Sequence, residues 1–111
     1  MTDNYVKLMA DYTSTGVWDT FGHSILPGSL PISESLKNRI TEWQSEYDKH
    51  AFNANFDIKT FSRIGLSLAG DIKDELPSWV VIYFDESASN IKDAYIEIVS
   101  TIALLKTARL E

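Results

Sequence analysis

The chain contains no cysteine. That excludes disulfide scaffolds, thiolate zinc sites, iron–sulfur clusters and cysteine nucleophiles. Histidine is nearly absent as well, with only His23 and His50. No apolar run exceeds the six residues from Trp79 to Phe84, far short of the roughly 20 that a membrane-spanning helix needs. Basic residues are scarce: ten lysines and arginines face sixteen acids, a formal charge of −6. A protein that neutralises phosphates carries the opposite excess, so nucleic acid and anionic membranes are disfavoured and a basic protein partner is favoured. The N-terminus lacks the basic start and apolar stretch of a signal peptide, and the expected location is the cytoplasm.

What is present suffices for a single domain over residues 1–111. A chain of 111 residues that is 44% hydrophobic and 23% charged is neither a disordered tail nor a coiled coil, and a domain of this size buries about two thirds of its surface on folding. Residues 5–12 alternate, with Val6, Leu8 and Ala10 on one side and Tyr5, Lys7, Met9 and Asp11 on the other, which predicts a strand. The next twenty residues carry Gly16, Gly22, Pro27, Gly28 and Pro31 but also Val17, Trp18, Phe21, Ile25 and Leu26. That is an irregular connection packed onto the domain, with room for a short extra strand. Ser33 caps a helix over 33–51 whose stripe is Leu36, Ile40, Trp43 and Tyr47; Asp57 caps a second over 57–76 with Ile58, Phe61, Ile64, Leu68 and Ile72, ended by Pro77. Gly65 and Gly70 weaken the second helix by about 1 kcal/mol each, a cost that fits close approach of another element.

Residues 78–84 are β-branched and aromatic on both faces, which predicts a central strand with Val81 and Ile82 both buried. The last segment fits a helix from about Ser89 to Thr107, and the alternation of Tyr95, Ile96, Glu97 and Ile98 keeps a strand open. Leu110 and Glu111 are given no role. The expected architecture is α+β: a small sheet holding strands 5–12 and 78–84, the two helices on one face, and the segment from about 89 covering the other.

No catalytic or metal-binding arrangement emerges. Glu46 and His50, at i and i+4, read as a surface pair at a helix end. His23-Ser24 lies in the glycine-rich connection without an orienting third group. Gly65 and Gly70 lack the Lys-Ser/Thr of a phosphate loop. The chain is therefore read as a non-enzyme without cofactors. The acids are more informative. Residues 71–97 hold Asp71, Asp74, Glu75, Asp85, Glu86, Asp93 and Glu97 against Lys73 and Lys92 alone. Glu42 and Glu46, like Asp71 and Glu75, form i, i+4 like-charge pairs that cost a few tenths of a kcal/mol in a helix. Such faces either solubilise the protein or steer a basic partner. Trp18, beside Asp19, either pins its loop or anchors an interface.

The order of landmarks resembles a known family. Lys7-Leu8-Met9-Ala10-Asp11-Tyr12 precedes Val17-Trp18-Asp19; then come Leu30-Pro31-Ile32-Ser33, Leu36, Arg39, Trp43 and Tyr47-Asp48, followed by Phe61 to Leu68, Glu75-Leu76-Pro77 and Val80 to Phe84. Over residues 5–85 this is similar to the small bacterial immunity proteins of contact-dependent growth inhibition and related polymorphic toxin systems. The resemblance implies inhibition by binding the C-terminal domain of a toxin, often a basic nuclease, and it supplies no catalytic residues. Contacts to that partner are expected, from charge and exposure, at Glu42, Glu46, Asp71, Asp74, Glu75, Asp85 and Glu86, with Trp18 and Asp19 next. The alternatives are an acidic adaptor module without a toxin partner and, further off, a small hydrolase.

Overall fold

Val6, Leu8 and Ala10, the inward set of the alternating N-terminal segment, are all buried in the computed structural model, which describes residues 4–99. The segment forms strand β1 (Tyr5–Leu8). The irregular connection that follows contributes two short strands, β2 (Val17–Trp18) and β3 (Ser24–Ile25). Helices α1 (Glu34–His50) and α2 (Ile58–Glu75) come next, then strand β4 (Val80–Phe84), a single helical turn α3 (Ile91–Ala94) and strand β5 (Tyr95–Ile98). The sheet order is β3-β2-β1-β4-β5. β1 and β4 are parallel, with Val6 opposite Val81 and Leu8 opposite Tyr83, and the other pairs are antiparallel. The two helices form the crossover between the parallel strands, as a parallel pair requires.

Both helices start where their caps predict. Ser33 Oγ accepts from Leu36 N at 3.2 Å, and Asp57 Oδ1 accepts from Thr60 N at 3.1 Å. Their shared side packs on one face of the sheet. Leu36, Ile40 and Trp43 of α1 and Phe61, Leu68, Ala69 and Ile72 of α2 meet Val6, Leu8, Val17, Val81, Tyr83 and Ile98 in one core. The Trp43 ring lies flat on Phe61, centroids 4.7 Å apart, and its Nε1 donates to the Phe61 carbonyl at 3.1 Å. Tyr83 reaches from the sheet to donate its hydroxyl to the Ser62 carbonyl at 2.9 Å. Both rings pass over Gly65, which therefore has no space for a side chain.

Three expectations are corrected. The C-terminal segment is not one helix from Ser89: it makes the single turn α3, capped by Asn90, and then pairs as β5 along β4. The β-branched Ile98 reaches the core only in that extended register, where it sits opposite Val81 and is fully buried. The remainder of the expected helix, with Leu110 and Glu111, lies outside the described residues. β5 also extends the sheet instead of covering its second face. Consequently Val81 is fully buried while Ile82, on the face away from the helices, is only partly so. Ile64, expected in the core stripe of α2, is 51% exposed. Close packing at Gly65 turns the buried side of α2 toward residues 61, 62, 65, 68, 69 and 72, and Ile64 falls outside it.

Candidate functional site

The sequence-predicted contact residues do not form one face. They fall into four groups.

Trp18 and Asp19 are occupied with holding their own connection in place. Trp18 Nε1 donates to the Met9 carbonyl at 2.9 Å, and Lys7 Nζ stands 5.8 Å from its ring centre. Asp19 Oδ1 accepts from Phe21 N and His23 N, each at 2.9 Å, closing the turn between β2 and β3. The hydrogen bond from the His23 backbone, stronger than the opposing effect of burial, holds the Asp19 carboxyl below its ordinary value.

Asp71 and Glu75 also have internal work. Asp71 Oδ2 accepts from Arg39 Nη1 at 2.8 Å, tying α2 to α1. Glu75 accepts from Ser33 N at 2.6 Å and from Ser33 Oγ at 2.8 Å, so the end of α2 clamps the start of α1. The i, i+4 spacing of Asp71 and Glu75 is thus explained in part by two cross-helix contacts, which sequence spacing cannot reveal. Asp74 is exposed beside them.

The third group stands at the carboxyl ends of the two parallel strands, where open sheets expose functional groups. Asp11 follows β1, and Asp85 and Glu86 follow β4. Buried Gln44 of α1 clamps the first loop: its Nε2 donates to the Asp11 carbonyl at 2.6 Å and to Asp48 Oδ1 at 3.2 Å, and Asp48 Oδ1 accepts from Thr13 N at 3.0 Å. Thr13 takes a left-handed φ of 58° to reach it. Asp85 Oδ1 accepts from Ser87 N at 2.9 Å and from Ser87 Oγ at 2.7 Å. Burial pushes the Asp85 carboxyl up, but the hydrogen bonds from Ser87 and Ser62 outweigh it and keep the group below its ordinary value. Asp85 is therefore a fixed negative charge. Glu86 next to it is half-buried, and burial first, then Asp11 and Asp85, pushes its carboxyl up to about 7. Burial first, then the charges of Glu86 and Asp11, raises the hydroxyl of Tyr47. Among the described residues no lysine or arginine ion-pairs with Asp11, Asp85 or Glu86. Sequence reading named Asp85 and Glu86; it missed Asp11, Asp48 and Gln44, because only the crossover topology sets the loop after β1 beside the loop after β4.

The raised Glu86 carboxyl makes stability depend on pH with a definite sign. Below about 4.5, both folded and unfolded chains carry the proton and nothing is lost. Between that value and about 7, the folded chain holds a proton that the unfolded chain has released, so stability falls as pH rises. Above this window the full cost remains. After allowance for the solvent that screens a half-exposed carboxyl, the cost is about 1–2 kcal/mol. Glu86→Gln is expected to be more stable than the parent by that amount at pH 8 and equal to it near pH 4, as read by urea unfolding at both pH values.

The fourth group lies between the helices. Glu42 and Glu46 of α1 stand on one lip of a groove of about 480 Å³ that is floored by apolar side chains from both helices. Glu46 Oε2 is 3.5 Å from His50 Nε2, which contributes positive charge only when protonated. His23 faces Asp19 in the distant β2–β3 turn, so the two histidines do not converge. Among the described residues no group of three or more His, Asp or Glu side chains is arranged to hold a metal ion. No described helix is long and apolar enough to cross a membrane. What the arrangement offers is binding: fixed, uncompensated carboxylates at the strand ends and an acidic lip over an apolar groove.

Comparison with known proteins agrees with this. No curated protein is significantly similar to the chain. The profile of the family described as Serratia CdiI immunity protein-like matches residues 4–86, which takes in the parallel strand pair, both helices, Asp11, Asp85 and Glu86.

Proposed function

The chain belongs to the Serratia CdiI immunity protein-like family, an immunity family whose partner is a contact-dependent growth inhibition toxin and whose role is inhibition without catalysis; from this we propose that it neutralises its cognate toxin by forming a stoichiometric complex with a basic, nuclease-type C-terminal domain. The observation that carries the reading is Glu86. Its half-buried carboxyl is raised by burial first and then by the charges of Asp11 and Asp85, and no lysine or arginine pairs with any of the three among the described residues. An isolated protein is destabilised by such an arrangement, whereas a partner that brings arginine or lysine relieves it. Nuclease domains carry that charge because their substrates are polyanions. Asp71, Asp74 and Glu75 add to the field that steers such a partner.

The test is protection in cells. The C-terminal domain of the cognate toxin is co-expressed with the parent chain or with the His23→Ala, His50→Ala double variant. Both are expected to restore growth to the same extent, because neither histidine belongs to an acid–base arrangement. A double variant that folds but no longer protects contradicts inhibition by binding alone.

A further inference from the structure

We infer that the α1–α2 groove is a docking site for an amphipathic cationic segment of the toxin domain, an aliphatic or aromatic side chain flanked by lysine or arginine. This rests on the proposed function and names the surface and chemistry of one contact. Three observations carry it. The floor is apolar: Trp43 and Phe61 are stacked beneath it, Leu68 closes one side, and Ile64 presents half of its side chain to solvent above them. An aliphatic residue on the expected core stripe of a helix, left open over buried aromatics, is an unfilled contact. The lip is negative: Glu42 and Glu46 are neighbours on one helix face, and Glu42 makes no ion pair among the described residues. The one arginine of the groove does not neutralise this lip, since Arg39 is held by Asp71 at 2.8 Å. Apolar floor and acidic lip together select an apolar side chain with cationic neighbours, and reject an acidic or purely polar segment. The groove is about 480 Å³, which accommodates one or two side chains and not a folded element, so it is an anchor pocket within a larger interface.

The experiment measures binding of the purified C-terminal domain of the cognate toxin to the full chain and its variants. Ile64→Arg fills the floor and neutralises the lip; Glu42→Arg with Glu46→Arg reverses the lip. Each is expected to weaken affinity by about tenfold or more, with the lip variant also slowing association at low salt. Ile91→Arg, at a still more exposed isoleucine on α3 outside the groove, leaves affinity unchanged. Because the chain has no cysteine, Ser67→Cys places a unique thiol in the groove wall. Its labelling by a maleimide, read from the mass of this chain, is expected to slow by about tenfold or more in the complex, a readout independent of whether the arginine variants fold. Failure of the parent chain to bind the toxin domain overturns the proposed function and this inference with it. Parent binding with groove variants within twofold of it, and with the thiol of Ser67→Cys still fully reactive in the complex, overturns the groove alone.

Discussion

Gly65→Ala is expected to destabilise the protein by about 1–3 kcal/mol net, although alanine is the better helix former by about 1 kcal/mol. A methyl group at this position would stand 2.7 Å from Trp43 Cζ2 and from Tyr83 Cε1, and closer still to the Tyr83 hydroxyl. None of these atoms is the loose end of a flexible side chain. Trp43 is fixed by its stack on Phe61 and its bond to the Phe61 carbonyl. Tyr83 is fixed by its bond to the Ser62 carbonyl, and both residues are buried. Overpacking of a tight core costs about 1–3 kcal/mol and occasionally more. Displacing the Tyr83 hydroxyl adds about 1 kcal/mol for its lost hydrogen bond. Steric cost therefore exceeds the gain in propensity. Equilibrium denaturation decides it: a Gly65→Ala variant as stable as the parent would show that the helix and sheet do not meet as described.

Reversing the charge of Glu86 is expected to move stability and binding in opposite directions. In Glu86→Lys the repulsion from Asp11 and Asp85 becomes attraction, so above pH 7 the variant unfolds at a higher urea concentration than the parent. The long lysine stem can keep its ammonium in water, so burial imposes less on it than on the shorter carboxylate. Affinity for the toxin domain falls by about tenfold or more, because truncating or reversing one side of a partly desolvated charge pair costs about 2–5 kcal/mol. Association also slows and loses part of its salt dependence. A surface that merely solubilises the chain gives a different result: stability changes and affinity does not. Urea unfolding at pH 8 and association rates at two ionic strengths separate the outcomes.

Much of the scaffold was legible from local signals. The alternation around Val6 and Leu8, the caps Ser33 and Asp57, and the stop at Pro77 act within a few residues of themselves, and the structure places each as expected. The C-terminal segment favours a helix with a strand left open, because its apolar residues fit both; the choice is made by β4, whose Val81 and Tyr83 offer a ladder partner to Ile98 and Ile96. The site was less legible. Glu75 and Asp71 read as a destabilising like-charge pair until their partners, Ser33 and Arg39, are seen across the helix interface. Asp11 carried no signal, since the charge it shares with Glu86 exists only because a crossover brings two distant strand ends together. Ile64 read as core because periodicity gives the stripe but not the rotation of the helix, which Gly65 sets.

The central claim is inhibition by stoichiometric binding to a basic toxin domain, and titration tests it most directly. The activity of the purified cognate toxin domain, expected to be cleavage of nucleic acid, is measured with the domain held well above the dissociation constant as the full chain is added. Stoichiometric inhibition gives a linear fall that reaches zero at one chain per toxin and recovers no activity with time. Activity abolished at a small fraction of an equivalent, or a toxin domain that stays fully active with excess chain present, contradicts it.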